Sequence, residues 1–139
     1  MDIRQFTLLD KDQVISLWEE CGLTAPWNDP EKDIQRKMKV NPELFFVVKE
    51  ESKILGTIMC GYDGHRGWVY YLAVCPQNRK KGIGRKLMSH AEQTLKENGC
   101  PKINLQVRNT NSAVLEFYKA IGYQVDEAVG LGKRLEADN

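Results

Sequence analysis

The segment from Val74 to Leu87, VCPQNRKKGIGRKL, joins a strand-like run, GWVYYLAV, to a helical pattern. It gathers Arg79, Lys80, Lys81, Arg85 and Lys86 around Gly82 and Gly84, with no acid among them. A strand, a glycine turn and a helix in that order leave backbone N–H groups unpaired at the helix N-terminus, where the dipole favours an anion. Glycine has no Cβ, so a bulky anion can approach the main chain. The segment therefore reads as a phosphate cradle. It departs from two common phosphate loops. A Walker loop needs Gly-Lys followed by Ser or Thr, and Gly84 is followed by Arg85 and Lys86. A dinucleotide fingerprint needs a third glycine where Leu87 stands.

A chain of 139 residues fits one domain, expected to span residues 1–139. The net charge is only +1, so the basic cluster is local and the whole molecule gives no reason to expect nucleic acid or an anionic membrane as partner. No apolar run reaches the ~20 residues of a membrane helix, and MDIRQFTLLD lacks a signal-peptide core. A cytoplasmic protein is expected. Cys21, Cys60, Cys75 and Cys100 form no CxxC pair and have no histidine at metal-ligand spacing, so reduced, mostly buried thiols and no metal are expected.

Periodicity lays out the rest. Asp2–Thr7 reads as a strand. Asp10 opens a helix as N-cap, with Gln13 placed as in a capping box, a stripe of Val14, Leu17, Trp18 and Cys21, and Gly22 at its end. Asp29-Pro30 starts a second helix, to about Val40, whose thin stripe of Ile34 and Met38 predicts loose attachment. LFFVVK and KILGTIMCGY form a hairpin about EES, and DGHRG leads to the strand Trp68–Val74. A helix from about Gly84 to Asn98 buries Ile83, Leu87, Met88, Ala91 and Leu95, and exposes His90 on its polar side. Lys102–Val107 is a strand. Asn109 or Asn111 caps a helix with Val114, Phe117, Tyr118 and Ile121 inward, closed by Gly122, and Tyr123–Ala128 and Lys133–Leu135 are short final strands. The plan is α+β: a mixed, mostly antiparallel central sheet flanked by about four helices.

RKKGIG at Arg79–Gly84 resembles the Arg/Gln-x-x-Gly-x-Gly/Ala signature of the GCN5-related N-acetyltransferases (GNAT), which bind acetyl coenzyme A. LAVCP before the loop resembles that family's pantetheine-pairing strand, and NSAVLEFYKAIGY at Asn111–Tyr123 its downstream motif. PWNDP and GYDGHRG resemble the small bacterial YpeA-type members. The resemblance covers essentially the whole chain. It implies a single-domain GNAT-like fold with acetyl-CoA as co-substrate. The amides and side chains of Arg79, Lys80, Lys81, Gly82, Ile83, Gly84 and Arg85 would hold the coenzyme phosphates. Leu72, Ala73 and Val74 would pair with the pantetheine arm and polarise the thioester carbonyl. Asn111 would hydrogen-bond that arm, and Tyr118 would protonate the departing thiolate.

The strand GWVYYLAV carries no carboxylate, so the general base is left among Asp63, His65, Glu43 and water. A lysine amine is neutral about once in 10³ to 10⁴ molecules at pH 7 and an α-amine about once in ten, so a weak base favours a low-pKa amine. The expected activity is direct acetyl transfer in a ternary complex to a primary amine, on a small molecule or a peptide N-terminus. The alternative is an acyl-CoA-binding sensor without efficient turnover. A generic phosphate or nucleic-acid binder fits less well, because the cations sit in one loop. Trp27, Asn28, Asp29, Tyr70, Tyr71 and the loop near Gly130 are candidates for the acceptor pocket, Asp29 or Asp63 for attracting the amine, and a homodimer is possible.

Overall fold

The three apolar runs after residue 44 pair in the order in which they leave the chain. The computed structural model describes residues 1–108 and 110–138. Strands β1 (Asp2–Gln5), β2 (Phe45–Glu50), β3 (Lys53–Tyr62), β4 (Gly67–Val74) and β5 (Ile103–Asn104) lie side by side in that order. Neighbours are antiparallel except β4 and β5, which are parallel. The β2–β3 hairpin turns through Glu51, at a φ of 56°.

Helices α1 (Lys11–Glu20) and α2 (Pro30–Lys37) cover one face, where Val14, Trp18 and Ile34 meet Phe45, Val47 and Met59. Helices α3 (Ile83–Glu97) and α4 (Ser112–Ala120) cover the other. The stripe Ile83, Leu87, Met88, Ala91 and Leu95 is buried as its spacing predicts. Gly56 of β3 lets α3 seat closely: a Cβ there would lie 2.9 Å from the Ala73 carbonyl and 3.0 Å from Leu87 Cδ1. Deleting Leu87 to alanine would cost about 2–5 kcal/mol, since its site is closed on all sides.

Several local readings change. Asp10 does stand at the N-cap of α1, but Gln13 is not its capping partner; the Gln13 amide spans instead to Ser52 O (3.1 Å) and Ile54 N (3.1 Å) on the β2–β3 turn. The Asp10 carboxylate accepts from Arg4 (2.7 and 2.9 Å) and Thr7 N (3.0 Å). Burial alone would raise that carboxyl, and these bonds outweigh it and hold it below its ordinary value.

Helix α2 is firmly held despite its thin stripe. Ile34 is fully buried, Lys11 pairs with Glu31 (2.8 Å), Lys37 donates to Cys60 O, and the chain end docks on it through Asp138. Asp138 accepts from Asp29 N (2.9 Å) and Arg36 (2.7 Å). Polar ties thus do what the apolar stripe was too narrow to do.

His90 is half-buried, edge-on to Phe46 at 4.4 Å, and burial lowers its pKa. Val114 is not inward; it is 37% exposed, and Tyr118 is the one buried residue of α4. Strand β5 keeps only two of the six residues expected of Lys102–Val107, and among the described residues Tyr123–Ala128 and Lys133–Leu135 form no strand. Alternating side chains alone do not make a ladder when no neighbouring strand lies beside them to share hydrogen bonds. Asn111 caps α4, and Asn109 lies outside the described residues.

Candidate active site

The sheet opens where β4 loses its parallel neighbour. Pairing of β4 with β5 is confined to Gly67 with Ile103 and Trp68 with Asn104, so among the described residues no strand lies beside β4 on that edge beyond Trp68. On its other edge β4 carries a bulge: Thr57 pairs with Ala73 and Met59 with Tyr70, which sets Tyr71 and Leu72 against a single residue of β3. Tyr71 takes a φ of 51°, a strained value for a tyrosine.

Three hydrogen bonds and a stack hold that strain. Trp18 Nε1 donates to Thr57 Oγ1 (2.9 Å), the Thr57 hydroxyl donates to Tyr71 O (2.8 Å), and the Tyr71 hydroxyl donates to Asp33 (2.6 Å). The Trp18 and Tyr71 rings stack at 3.7 Å. The left-handed backbone costs on the order of 1–3 kcal/mol, and three such bonds at about 1 kcal/mol each offset it. The bulge therefore stays fixed where Val69 to Leu72 of β4 border the cleft; Ala73 and Val74 do not border it, and Val74 O accepts from Cys21 Sγ (3.4 Å).

After β4 the chain makes one 3-10 turn, Pro76–Asn78, then passes through Lys80 (φ 66°) and Gly82 (φ 83°) into α3. The first helical bond runs from Lys86 N to Gly82 O (3.0 Å). The amides of Lys80, Lys81, Gly82, Ile83, Gly84 and Arg85 donate to no other described group. Gly82 to Arg85 are the N-cap and first turn of α3, whose amides have no helical partner, and Lys80 and Lys81 precede them. Gly84 also packs closely, since a Cβ would come within 3.3 Å of Phe117 Cζ and the ring would have to give by a few tenths of an ångström.

The cations divide. Arg79 turns back to Val74 O (3.2 Å) and the Cys21 sulfur (3.4 Å), closing the end of β4, and Lys86 reaches Met1 O (3.4 Å). Lys80, Lys81 and Arg85 enter no ion pair among the described residues and stay available for an anion.

Helix α4 brings Tyr118 against the same opening. Its ring meets Phe117 at 5.1 Å and Tyr123 at 5.7 Å, both edge-on, and burial pushes its hydroxyl up to about 12. Three other tyrosine hydroxyls of this region are engaged, Tyr71 with Asp33, Tyr123 with Glu92 (2.7 Å) and Tyr62 with Gly99 O (3.2 Å), while that of Tyr70, on the cleft side of β4, bonds to no described group. The Tyr118 hydroxyl bonds to no described group, and Tyr118 borders the cleft with Asn111. Asn111 Oδ1 meanwhile accepts from Val114 N (3.3 Å), leaving its Nδ2 for other partners.

The cleft has a volume of about 2290 Å³ and runs between α2, the open edge of β4, β5 and α4. Ordinary ligand pockets span ~300–1,000 Å³, so this one has room for a long ligand and a second beside it. Asn28, Tyr70, Tyr71 and Gly130 border it. Trp27 lines an adjoining recess with Arg36 and Arg134 and lies beneath the Arg108 guanidinium at 5.4 Å. Asp29 caps α2, accepting from Glu31 N (2.9 Å) and Lys32 N (3.3 Å), which accounts for it without a substrate.

Asp63, His65 and Glu43 are not among the residues bordering the cleft. Asp63 accepts from His65 N (2.8 Å) and Arg66 N (2.7 Å) and is held below its ordinary pKa by those bonds, which makes it a poor base. The carboxylates that do border the cleft are each engaged: Asp33 by Tyr71 and Arg36, Glu92 by Tyr123, and Asp126 by Lys102 (3.0 Å). Asp33, Thr57 and Trp18 were missed in the sequence as site residues. Their link to Tyr71 crosses from two helices and a strand and leaves no local spacing signal.

Among the described residues no helix is long and apolar enough to cross a membrane. Residues 11–123 match the model of the acetyltransferase (GNAT) family. The chain is 50% identical over 139 residues to a protein named acetyltransferase from Sodalis glossinidius, covering 99% of this chain and 98% of that one. In fold it is similar to a PaiA N-acetyltransferase from Thermoplasma acidophilum solved with coenzyme A (TM-score 0.73, 23% identity, 93% and 92% of the two chains). It is similar also to AAC(6′)-Iy solved with the bisubstrate analogue CoA-S-monomethyl-acetylneamine (TM-score 0.78, 15% identity, 96% and 97%). A glycine loop of unpartnered amides after a strand that opens from its parallel neighbour is thus accompanied by relatedness over nearly the whole length, and the chain belongs to the GNAT family of acetyltransferases.

Proposed function

We propose that the protein transfers an acetyl group from acetyl-CoA directly to a primary amine, both substrates being held together in the cleft. The observation that carries this reading is the run of free amides from Lys80 to Arg85, continuous with the unshared edge of β4. The amides and the side chains of Lys80, Lys81 and Arg85 hold the coenzyme phosphates, and the main chain of Leu72–Val74 pairs with the pantetheine arm. The bulge at Tyr71 and Leu72 aims an N–H at the thioester oxygen and stabilises the charge that develops there.

The amine nitrogen bonds to the thioester carbon as the carbon–sulfur bond breaks. Tyr118 gives its hydroxyl proton to the leaving sulfur and recovers one from the ammonium side through water. A hydroxyl held near 12 is fully protonated at neutral pH, as a donor must be. With every described carboxylate of the cleft already engaged, the chain has no strong base to offer, and an amine of low pKa is the better acceptor.

Release of coenzyme thiol in the presence of an amine panel tests this. Turnover with α-amino peptides or other low-pKa amines supports it. Tight acetyl-CoA binding with no release for any amine would favour a sensor instead.

A further inference from the structure

Asn104 Oδ1 is the one buried side-chain oxygen or nitrogen without a hydrogen-bond partner among the described residues. A buried polar atom left unpaired is a cost that native structures seldom carry without a reason. Asn104 borders the cleft, at the last residue pair before β4 and β5 part. Its neighbour Ile103 packs into the core under α3, so Asn104 points to the opposite face, that of α2. There it stands beside Trp68, whose ring is roughly parallel to that of half-exposed Tyr70 at 6.4 Å.

From this we infer that Asn104 is an anchoring residue for the acceptor, and that the acceptor is a peptide read through its main chain. The inference rests on the acetyltransferase reading above. A carboxamide offers one acceptor and one donor end, and a half-turn about its broad χ2 torsion exchanges which of them faces the cleft. A peptide group presents the matching pair.

Distance agrees with this assignment. Asn104 is level with Trp68, three to four residues along β4 from the bulge, or about 10–13 Å at ~3.3 Å per residue. An extended peptide whose α-amine lies at the bulge reaches that level with its third peptide link, at ~3.3–3.6 Å per residue. Trp68 and Tyr70 flank the intervening stretch and offer apolar faces to side chains. Charge argues against a polyamine, since Arg36, Lys37, Arg108 and Lys119 border the cleft and its acids are already engaged.

The test uses coenzyme A joined through an acetyl link to the α-amine of alanine amide or of tetraalanine amide, titrated calorimetrically. The wild type should bind the tetraalanine conjugate about three- to tenfold more tightly, the worth of one net hydrogen bond. Methylation of the nitrogen in the third peptide link should remove that advantage with no change to the protein. Asn104→Leu should also remove it, leave affinity for coenzyme A itself unchanged, and leave the melting temperature equal or higher. Equal affinity of the wild type for both conjugates, or an advantage that survives both N-methylation and Asn104→Leu, overturns the inference alone. Failure of the wild type to bind coenzyme A overturns the acetyltransferase reading as well.

Discussion

Tyr118→Phe removes one oxygen from the cleft and keeps the edge-on contacts of the ring with Phe117 and Tyr123. Because the hydroxyl bonds to no described group, stability should stay within about 0.5 kcal/mol of wild type. The effect belongs to the chemistry. A coenzyme thiol resembles a cysteine thiol with a pKa of ~8.5, so at pH 7 an unprotonated thiolate leaving group lies only about 1.5 pK units above the thiol. A donor is worth less there than for an alkoxide, toward the low end of the ~10²–10⁴-fold range of acid catalysis. We therefore expect kcat to fall about 10²-fold, or ~2.7 kcal/mol, with an unchanged Kd for acetyl-CoA. Initial rates of thiol release and a calorimetric Kd measure the two quantities. The sign of the pH dependence follows from burial: a hydroxyl raised to about 12 keeps its proton below that value, so Tyr118 contributes no falling limb between pH 8 and 10.5. A kcat within about threefold of wild type, or coenzyme affinity and folding lost together, would refute the assignment.

Two further outcomes follow from the structure. Thr57→Val should destabilise the fold by about 2–4 kcal/mol in urea titration and lower kcat, because it orphans the buried Trp18 N–H and frees the strained Tyr71 carbonyl; a loss below about 1 kcal/mol would show that the bulge needs no such support. Asp138→Asn should lower the melting temperature at pH 7. Hydrogen bonds from Arg36 hold the Asp138 carboxyl far below its ordinary value, so its contribution is present above the ordinary carboxylate range and is lost only as pH falls through the depressed pKa; a difference from wild type that vanishes already at pH 5 would contradict this.

The strand–glycine–helix segment was legible because its signal is local: strand, two glycines and an apolar stripe follow one another in the chain. The same holds for the β2–β3 hairpin and for α3. The bulge at Tyr71 was not legible, since its determinants, Trp18, Asp33 and Thr57, come from three elements and act through side chains. Arg79 was counted with the phosphate cations, yet it folds back on Val74 O and Cys21, a long-range contact that charge alone does not encode. The segments after Gly122 show alternation without a ladder, and α2 shows a weak stripe with strong polar anchoring. Apolar periodicity reports which side of an element is greasy and says nothing of the hydrogen-bonding partner.

The central claim, that the loop from Lys80 to Arg85 is a coenzyme cradle, is tested most directly by calorimetric titration of acetyl-CoA. The wild type is set beside a variant carrying Gly82→Val and Gly84→Val. The first substitution forces a branched residue to a φ of 83°, and the second drives a side chain toward Phe117, so both disturb the loop that carries the free amides. Micromolar binding by the wild type that is lost in a still-folded variant is the expected result. Equal binding by both proteins, or none by the wild type, would contradict the account.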